Sequence, residues 1–237
     1  IKEIVVLTGM RRVGKTTLYR MIFDQVESDN KVFLDIENPI EKRIFEEKDY
    51  RNIWANLKSF GITNAKKAYI FLDEIQAFPE IVRAIKYLYD HYDVKFFLTG
   101  SSSYYLKNLF PESLAGRKVV FEMFPLDFEE FLIFKGQKQE FQEKFSGKDT
   151  HKNIIRYESL KKYYDEYLEY GGFPQVVLAE SAEQKRMYLS DIFKSYFEKD
   201  IQAIADFRAL GAFRELMLLL LQRIGSKLDI SKLASEA

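Results

Sequence analysis

Cysteine is absent from the 237 residues, and histidine occurs only twice, at His91 and His151. The first absence excludes disulfides, thiolate nucleophiles and Cys-ligated metals. The second leaves no histidine-based metal set, because the two residues are far apart in sequence and read as a helix-end and a loop histidine. Long apolar runs are missing as well. The longest, Leu216 to Leu221, falls far short of the ~20 residues of a membrane-spanning helix, and no secretory leader is visible. These absences predict a cytoplasmic protein with no membrane partner. Charge of one sign is also lacking: Lys+Arg 36 balances Asp+Glu 36, so no global positive field gathers nucleic acid, although a local basic patch stays open. Aromatic residues are abundant, with Phe 21 and Tyr 15, enough for a well-stocked core and a surface that meets a partner. The length suits one large domain or a core domain with an appendage. Because the chain opens at Ile1 inside an apolar run, the native N-terminus is expected further upstream.

The most informative stretch is Gly9-Met10-Arg11-Arg12-Val13-Gly14-Lys15-Thr16-Thr17. It is a complete G-x-x-x-x-G-K-T sequence between the apolar run Glu3 to Leu7 and the helically spaced Leu18 to Phe23. Strand, glycine-rich turn and helix start form the context in which such a loop binds nucleotide phosphates. Backbone N–H groups of the turn, with those of the helix start, make a nest for the β-phosphate. Lys15 is placed to reach the β/γ oxygens, and the Thr16 hydroxyl to ligate Mg²⁺.

Further on, strands and helices alternate. Strands are expected at Val32–Ile36, Ala68–Asp73, Val94–Thr99 and Lys118–Phe121. Helical segments are expected over Glu41 to Phe60, with a break near Asp49, then from Pro79, and over Tyr104–Leu109. This predicts an α/β core with a largely parallel sheet over residues 1–135. A polar linker or exposed loop follows at 136–149, then a helical domain at 150–225. Its helices are Tyr157–Tyr170, Glu183–Glu198 and Leu210–Arg223, the first followed by the break Gly171-Gly172-Phe173-Pro174. Residues 226–237 read as the start of a truncated winged helix, or as a short terminal helix.

The solidly apolar Ala68–Leu72 carries Asp73 and Glu74 to a strand end, where ligands of such sheets bind. Asp73 is expected to hold Mg²⁺ with Thr16, and Glu74 to orient or deprotonate an attacking water. Thr99 or Ser101 after the next strand is a candidate sensor of the γ-phosphate, with helix capping as the alternative for the serines; Gln76 is a second polar candidate. Arg117, expected close to the catalytic edge, is a candidate for completing a neighbouring subunit's site in a homo-oligomer, or else a salt-bridge residue. Arg11 and Arg12 lie inside the loop, where such positions usually face outward, and are expected to touch a partner, the helical domain or nucleic acid. The Asn-Lys-x-Asp guanine pattern is missing, so ATP is the expected nucleotide, its adenine resting partly on the helical domain.

Taken together, Thr8–Thr17, Phe71–Gln76, Leu98–Ser102, Leu114–Arg117, Pro125-Leu126 with Glu130-Phe131, and Tyr170–Pro174 resemble the archaeal and bacterial AAA-like (ASCE) P-loop ATPases with an "RRVGKT" phosphate loop. The resemblance covers nearly the whole chain. It implies core strand order 5-1-4-3-2 and a helical domain after the core. It also implies Lys15 and Thr16 at phosphate-loop positions, the acidic pair Asp73 and Glu74, a sensor within Thr99–Ser101, and Arg117 in the "LaGR" segment. Many members continue into a further C-terminal domain, sometimes preceded by a winged helix. Three functions follow as expectations: Mg²⁺-dependent ATP hydrolysis by a switch or motor subunit, a nucleotide-gated protein-binding module with negligible turnover, and a DNA-directed ATPase. The last draws on the terminal helix and the cluster Lys152, Arg156, Lys161 and Lys162.

Overall fold

The computed structural model describes residues 3–100, 114, 116–137, 154–196, 210–227 and 229–231. By its internal contacts the chain divides into two compact units, Ile1–Lys194 and Ser195–Ala237. The first holds a five-stranded parallel sheet: β1 (Ile4–Gly9), β2 (Lys31–Asp35), β3 (Ala68–Asp73), β4 (Val94–Gly100) and β5 (Lys118–Met123). The order β2-β3-β4-β1-β5 is 5-1-4-3-2 read from the other edge. Every neighbour is parallel, so all five strands deliver their carboxyl ends to the same edge.

Helix α1 (Lys15–Gln25) covers one face of the sheet. There Phe33, Phe71 and Phe97 stand in register across β2, β3 and β4, with ring centroids 6.0 and 4.3 Å apart. Tyr19 of α1 packs edge-on against Phe71 and Phe97, and its hydroxyl donates to the carbonyls of Val5 (3.2 Å) and Leu98 (3.3 Å). Edge-to-face and offset stacking suit the quadrupoles of these rings. Side chains alternate along a strand, so two residues beyond the phenylalanines the same face carries Asp35, Asp73 and Thr99. A hydrophobic row thereby ends in a polar row at the carboxyl edge.

The opposite face buries Val6, Leu34, Ile70, Leu72, Phe96 and Leu98 with α3 (Tyr50–Lys58) and α4 (Ile81–His91). A four-residue α2 (Pro39–Lys42) and a 3-10 turn, Arg43–Phe45, precede α3; Asp49 caps α3 through the Arg51 N–H. The break near Asp49 falls as the sequence indicates. Pro79, however, lies in the turn ahead of α4, which starts two residues later at Ile81.

After β5, α5 (Phe128–Phe134) begins with a capping box in which the Asp127 side chain accepts from the Glu130 N–H and Glu130 from the Asp127 N–H. Then come α6 (Ile154–Tyr170), α7 (Pro174–Val177) and α8 (Ala182–Ser195). Phe131, Leu132, Val177 and Leu126 form their common core with Leu160, Tyr163 and Tyr167. These helices fall in the same compact unit as the sheet, so the division comes at Lys194, not within 136–149 as the sequence suggests. In the second unit, α9 spans Leu210–Gln222. The expected helix at Tyr104–Leu109, and most of the 136–149 linker and the terminal helix after Ser231, lie outside the described residues. No helix among those described is long and apolar enough to cross a membrane.

Candidate functional site

The loop between β1 and α1 has the backbone its glycines anticipate. Gly9 (φ 144) and Gly14 (φ 103) are in conformations that L side chains rarely adopt. A Cβ on Gly9 would also overlap the Met123 carbonyl at the end of β5. Arg12 takes a left-handed φ of 63. Lys15 is nearly buried, and its ammonium donates to the carbonyls of Gly9 (2.9 Å) and Met10 (2.7 Å), which holds its charge over the loop. Thr16, second residue of α1, is half-buried beside it.

Two strands away, with β4 between, stands the acidic pair. Asp73 is buried at the end of β3. Glu74 follows in a left-handed conformation (φ 53), an outlier for a residue with a side chain and the kind of backbone strain that gathers at functional sites. Burial pushes the Glu74 carboxyl above its ordinary pKa. A hydrogen bond from Gln76 and the charges of Lys15 and Arg11 act in the opposite direction, and Asp73 adds to the upward push.

Thr99 joins the two acids. Its hydroxyl donates to Asp73 Oδ1 and accepts the Glu74 N–H at 3.1 Å. The hydroxyl is fully buried, and these bonds tie it to the acidic pair. Ser101 lies outside the described residues. Gln76 meets Glu74, so the structure brings it into the site.

Sequence reasoning missed Asp35 and Glu37. Asp35 pairs with Asp73 in register, and the Ile36 N–H donates to the Asp73 carbonyl (3.0 Å). Burial raises the Asp35 pKa; the Glu37 N–H, donating at 2.9 Å, works against this, and the charges of Asp73, Glu37 and Glu41 reinforce it. Glu37 pairs with Arg11 of the phosphate loop at 3.9 Å. The available signal was that β2, like β3, ends an apolar run on a carboxylate; adjacency of the two strands was needed to use it.

The break Gly171–Pro174 also comes to the loop. Gly172 accepts the Leu126 N–H at 2.7 Å and approaches Leu126 so closely that a Cβ would overlap its carbonyl. Tyr167 donates its hydroxyl to the same carbonyl (3.1 Å). This sets α7 beside the phosphate loop, where Arg12 Nη1 donates to Gln175 Oε1 at 3.2 Å.

Arg117 is placed differently from expectation. Lys118 pairs with Ile4 at the amino ends of β5 and β1, and the Ile4 N–H donates to the Arg117 carbonyl (2.7 Å). Arg117 therefore lies at the edge opposite the loop, roughly 17 Å away along β1. Its guanidinium donates to Asp90 Oδ1 at 3.1 Å. The expectation of a position near its own catalytic edge fails, because a residue preceding a parallel strand enters the sheet at the amino end.

The donor chemistry fits a magnesium-bound nucleoside triphosphate. A phosphate loop with two left-handed glycines, a buried lysine at its rim, a hydroxyl at the helix start and a buried carboxylate on the next-but-one strand define a P-loop nucleotide-binding protein of ATPase type. Residues 1–132 match the family model described as AAA domain, and the chain belongs to that family. Residues 161–237 match a domain of unknown function. An uncharacterized protein of Methanocaldococcus jannaschii is 29% identical over 98% of this chain and 49% of its own length. One of Haemophilus influenzae is 27% identical over 98% and 54%. The chain thus spans about half the length of the curated relatives it matches. Among solved structures, the Aeropyrum pernix ORC2 protein in its ADP form aligns with a TM-score of 0.47 at 13% identity, over 79% of this chain and 62% of that one. PCH-2 of C. elegans aligns with a TM-score of 0.45 at 15% identity, over 79% and 53%.

Proposed function

We propose that the chain hydrolyses ATP with Mg²⁺ and acts as a molecular switch or motor subunit. The observation that carries this reading is the arrangement of Lys15, Thr16, Asp73 and Glu74 at one sheet edge, with the acidic pair held by Thr99. Main-chain N–H groups of Gly9–Thr17 would cradle the β-phosphate, and Lys15 would exchange the Gly9 and Met10 carbonyls for phosphate oxygens. Thr16 and Asp73 would hold the magnesium ion, whose contribution when bound is to neutralise charge on the β- and γ-oxygens. Glu74 takes the proton of the attacking water as the bond from the water oxygen to the γ-phosphorus forms. The bond from that phosphorus to the β–γ bridging oxygen breaks, and ADP leaves with the electron pair. A carboxyl whose pKa lies above the ordinary range is a better proton acceptor than a free carboxylate.

Coupling to the rest of the chain runs through α7, because Gln175 touches the loop that holds the phosphates. Assembly with further copies belongs to the same proposal: Arg117, at the far edge, can meet only a neighbour's nucleotide. The test is Mg²⁺-dependent phosphate release from wild type and Glu74→Gln, with ATP affinity measured beside it. We expect Glu74→Gln to bind ATP and to lose at least about 10²-fold in turnover. Equal rates remove Glu74 from the role of base. Lys15→Ala is expected to lose nucleotide binding, and unchanged affinity rejects the phosphate assignment of the loop.

A further inference from the structure

The two consecutive arginines of the phosphate loop go in different directions. Arg12, turned by its left-handed backbone, is exposed and bonded to Gln175 on α7. Arg11 is drawn inward: its side chain is only 16% exposed, and its guanidinium faces Glu37 at 3.9 Å. Glu37 sits in the turn after β2, whose end is tied to Asp73 through the Ile36 N–H. Two further bonds brace this turn: Glu41 accepts the Asp35 N–H, and the Asn38 amide donates to Glu41 at 3.0 Å. Arg11 is thereby anchored on the side of the site where the acidic pair stands, and its charge, like that of Lys15, acts on the Glu74 carboxylate.

An arginine anchored in this way supplies what Arg117 cannot supply to its own site. We infer that Arg11 is a catalytic residue acting in cis, its guanidinium contacting the γ-phosphoryl oxygens in the transition state while Glu37 holds it in position. The inference rests on the ATP-hydrolysis reading above and deepens it. The physical reason is charge placement. Negative charge spreads over the γ-oxygens during phosphoryl transfer, and a planar guanidinium with five donors meets two such oxygens at once. Held by Glu37, it enters the reaction already oriented and loses little side-chain freedom as the charge develops. Lys15, once it has exchanged the Gly9 and Met10 carbonyls for phosphate oxygens, is a single point charge without the paired donors of a guanidinium.

The alternative is that the Arg11–Glu37 pair only ties the loop to the β2 turn. The two roles differ in what they do to nucleotide affinity. Three measurements on the chain carrying Arg11→Ala and Arg11→Lys separate them: affinity for Mg·ADP alone, affinity for Mg·ADP with aluminium fluoride, and kcat against KM for ATP. A γ-phosphoryl contact predicts that Arg11→Ala binds ADP within about threefold of wild type. It also predicts a fall of at least about 10²-fold in kcat and a comparable loss of affinity for the fluoride complex, within the scale known for catalytic arginines. Arg11→Lys keeps the charge but not the fork, and is expected to recover only part of both losses. The inference is overturned if Arg11→Ala keeps wild-type kcat and fluoride-complex affinity. Equal loss of ADP and fluoride-complex binding, with full rescue by lysine, also overturns it and establishes the structural tie. Failure of the underlying reading looks different: the wild type itself would neither bind Mg·ATP nor release phosphate.

Discussion

At the scale of single residues, the site depends on a few groups whose other options are closed. Thr99 is the clearest. Its hydroxyl gives its proton to Asp73 and takes one from the Glu74 backbone, so the orientation of both acids is set from the neighbouring strand. Thr99→Val keeps the shape and removes the hydroxyl, leaving a buried carboxylate oxygen and an N–H without that partner. The expected cost is about 1–3 kcal/mol of stability, and turnover should fall more than ATP affinity. Denaturant unfolding alongside steady-state kinetics checks this; unchanged kcat rejects the positioning role. Gly9 is equally restricted. Gly9→Ala places a methyl group against the Met123 carbonyl at a backbone angle alanine avoids, so nucleotide binding and thermal stability are expected to fall together. A variant that binds ADP normally would mean that the loop has room to relax.

At the scale of elements, two strand ends and one helical break are brought to the loop between β1 and α1. The row Phe33, Phe71 and Phe97 packs across the strands that carry Asp35, Asp73 and Thr99, one step short of the polar row. The helices after β5 are held by a different device. Glu166 on α6 receives Lys135 at 2.7 Å and also Lys185 from α8. Burial alone would raise its pKa, but the two lysines outweigh burial and hold the carboxyl below its ordinary value. A depressed folded-state pKa stabilises the fold above the unfolded pKa, and the contribution disappears as pH falls through the folded value. Glu166→Gln should therefore cost roughly 1–2 kcal/mol at neutral pH, and the gap from wild type should close in acid. Urea unfolding at pH 7 and pH 3 measures this; the same gap at both values would reject the ion-pair account.

At the scale of the whole molecule, the edge occupied by Arg117 matters most. A parallel sheet sends all loops that follow strands to one edge and all that precede them to the other. Arg117 and the phosphate loop are therefore separated by the full length of a strand. Hydrolysis that needs a neighbour's Arg117 must rise more steeply than protein concentration. Hydrolysis served by Arg11 alone must stay proportional to it. A dilution series of phosphate-release rates, repeated with Arg117→Ala, separates the contributions: a wild-type curve that steepens through an assembly range, and a variant that does not, would show assembly adding to the cis site.

Much of this was legible in the chain because it is local. The glycines, lysine and hydroxyl of residues 9–17 dictate a phosphate nest from backbone geometry within one turn, and an unbroken apolar run ending in Asp73-Glu74 marks a central strand and its functional end. Alternation of such runs with helical spacing was enough for the parallel sheet, while its strand order followed only from the resemblance to a family of P-loop ATPases. Tertiary structure alone decided the rest. Strand adjacency put Asp35 beside Asp73 and Glu37 beside Arg11. A left-handed angle sent Arg12 away from its neighbour Arg11, toward Gln175. Strand adjacency also tied the Thr99 hydroxyl to the acidic pair, and strand direction moved Arg117 to the far edge. The physical reason is common to these cases: residue type and spacing specify what a side chain can do, while the group it meets depends on which strands pair and in which direction.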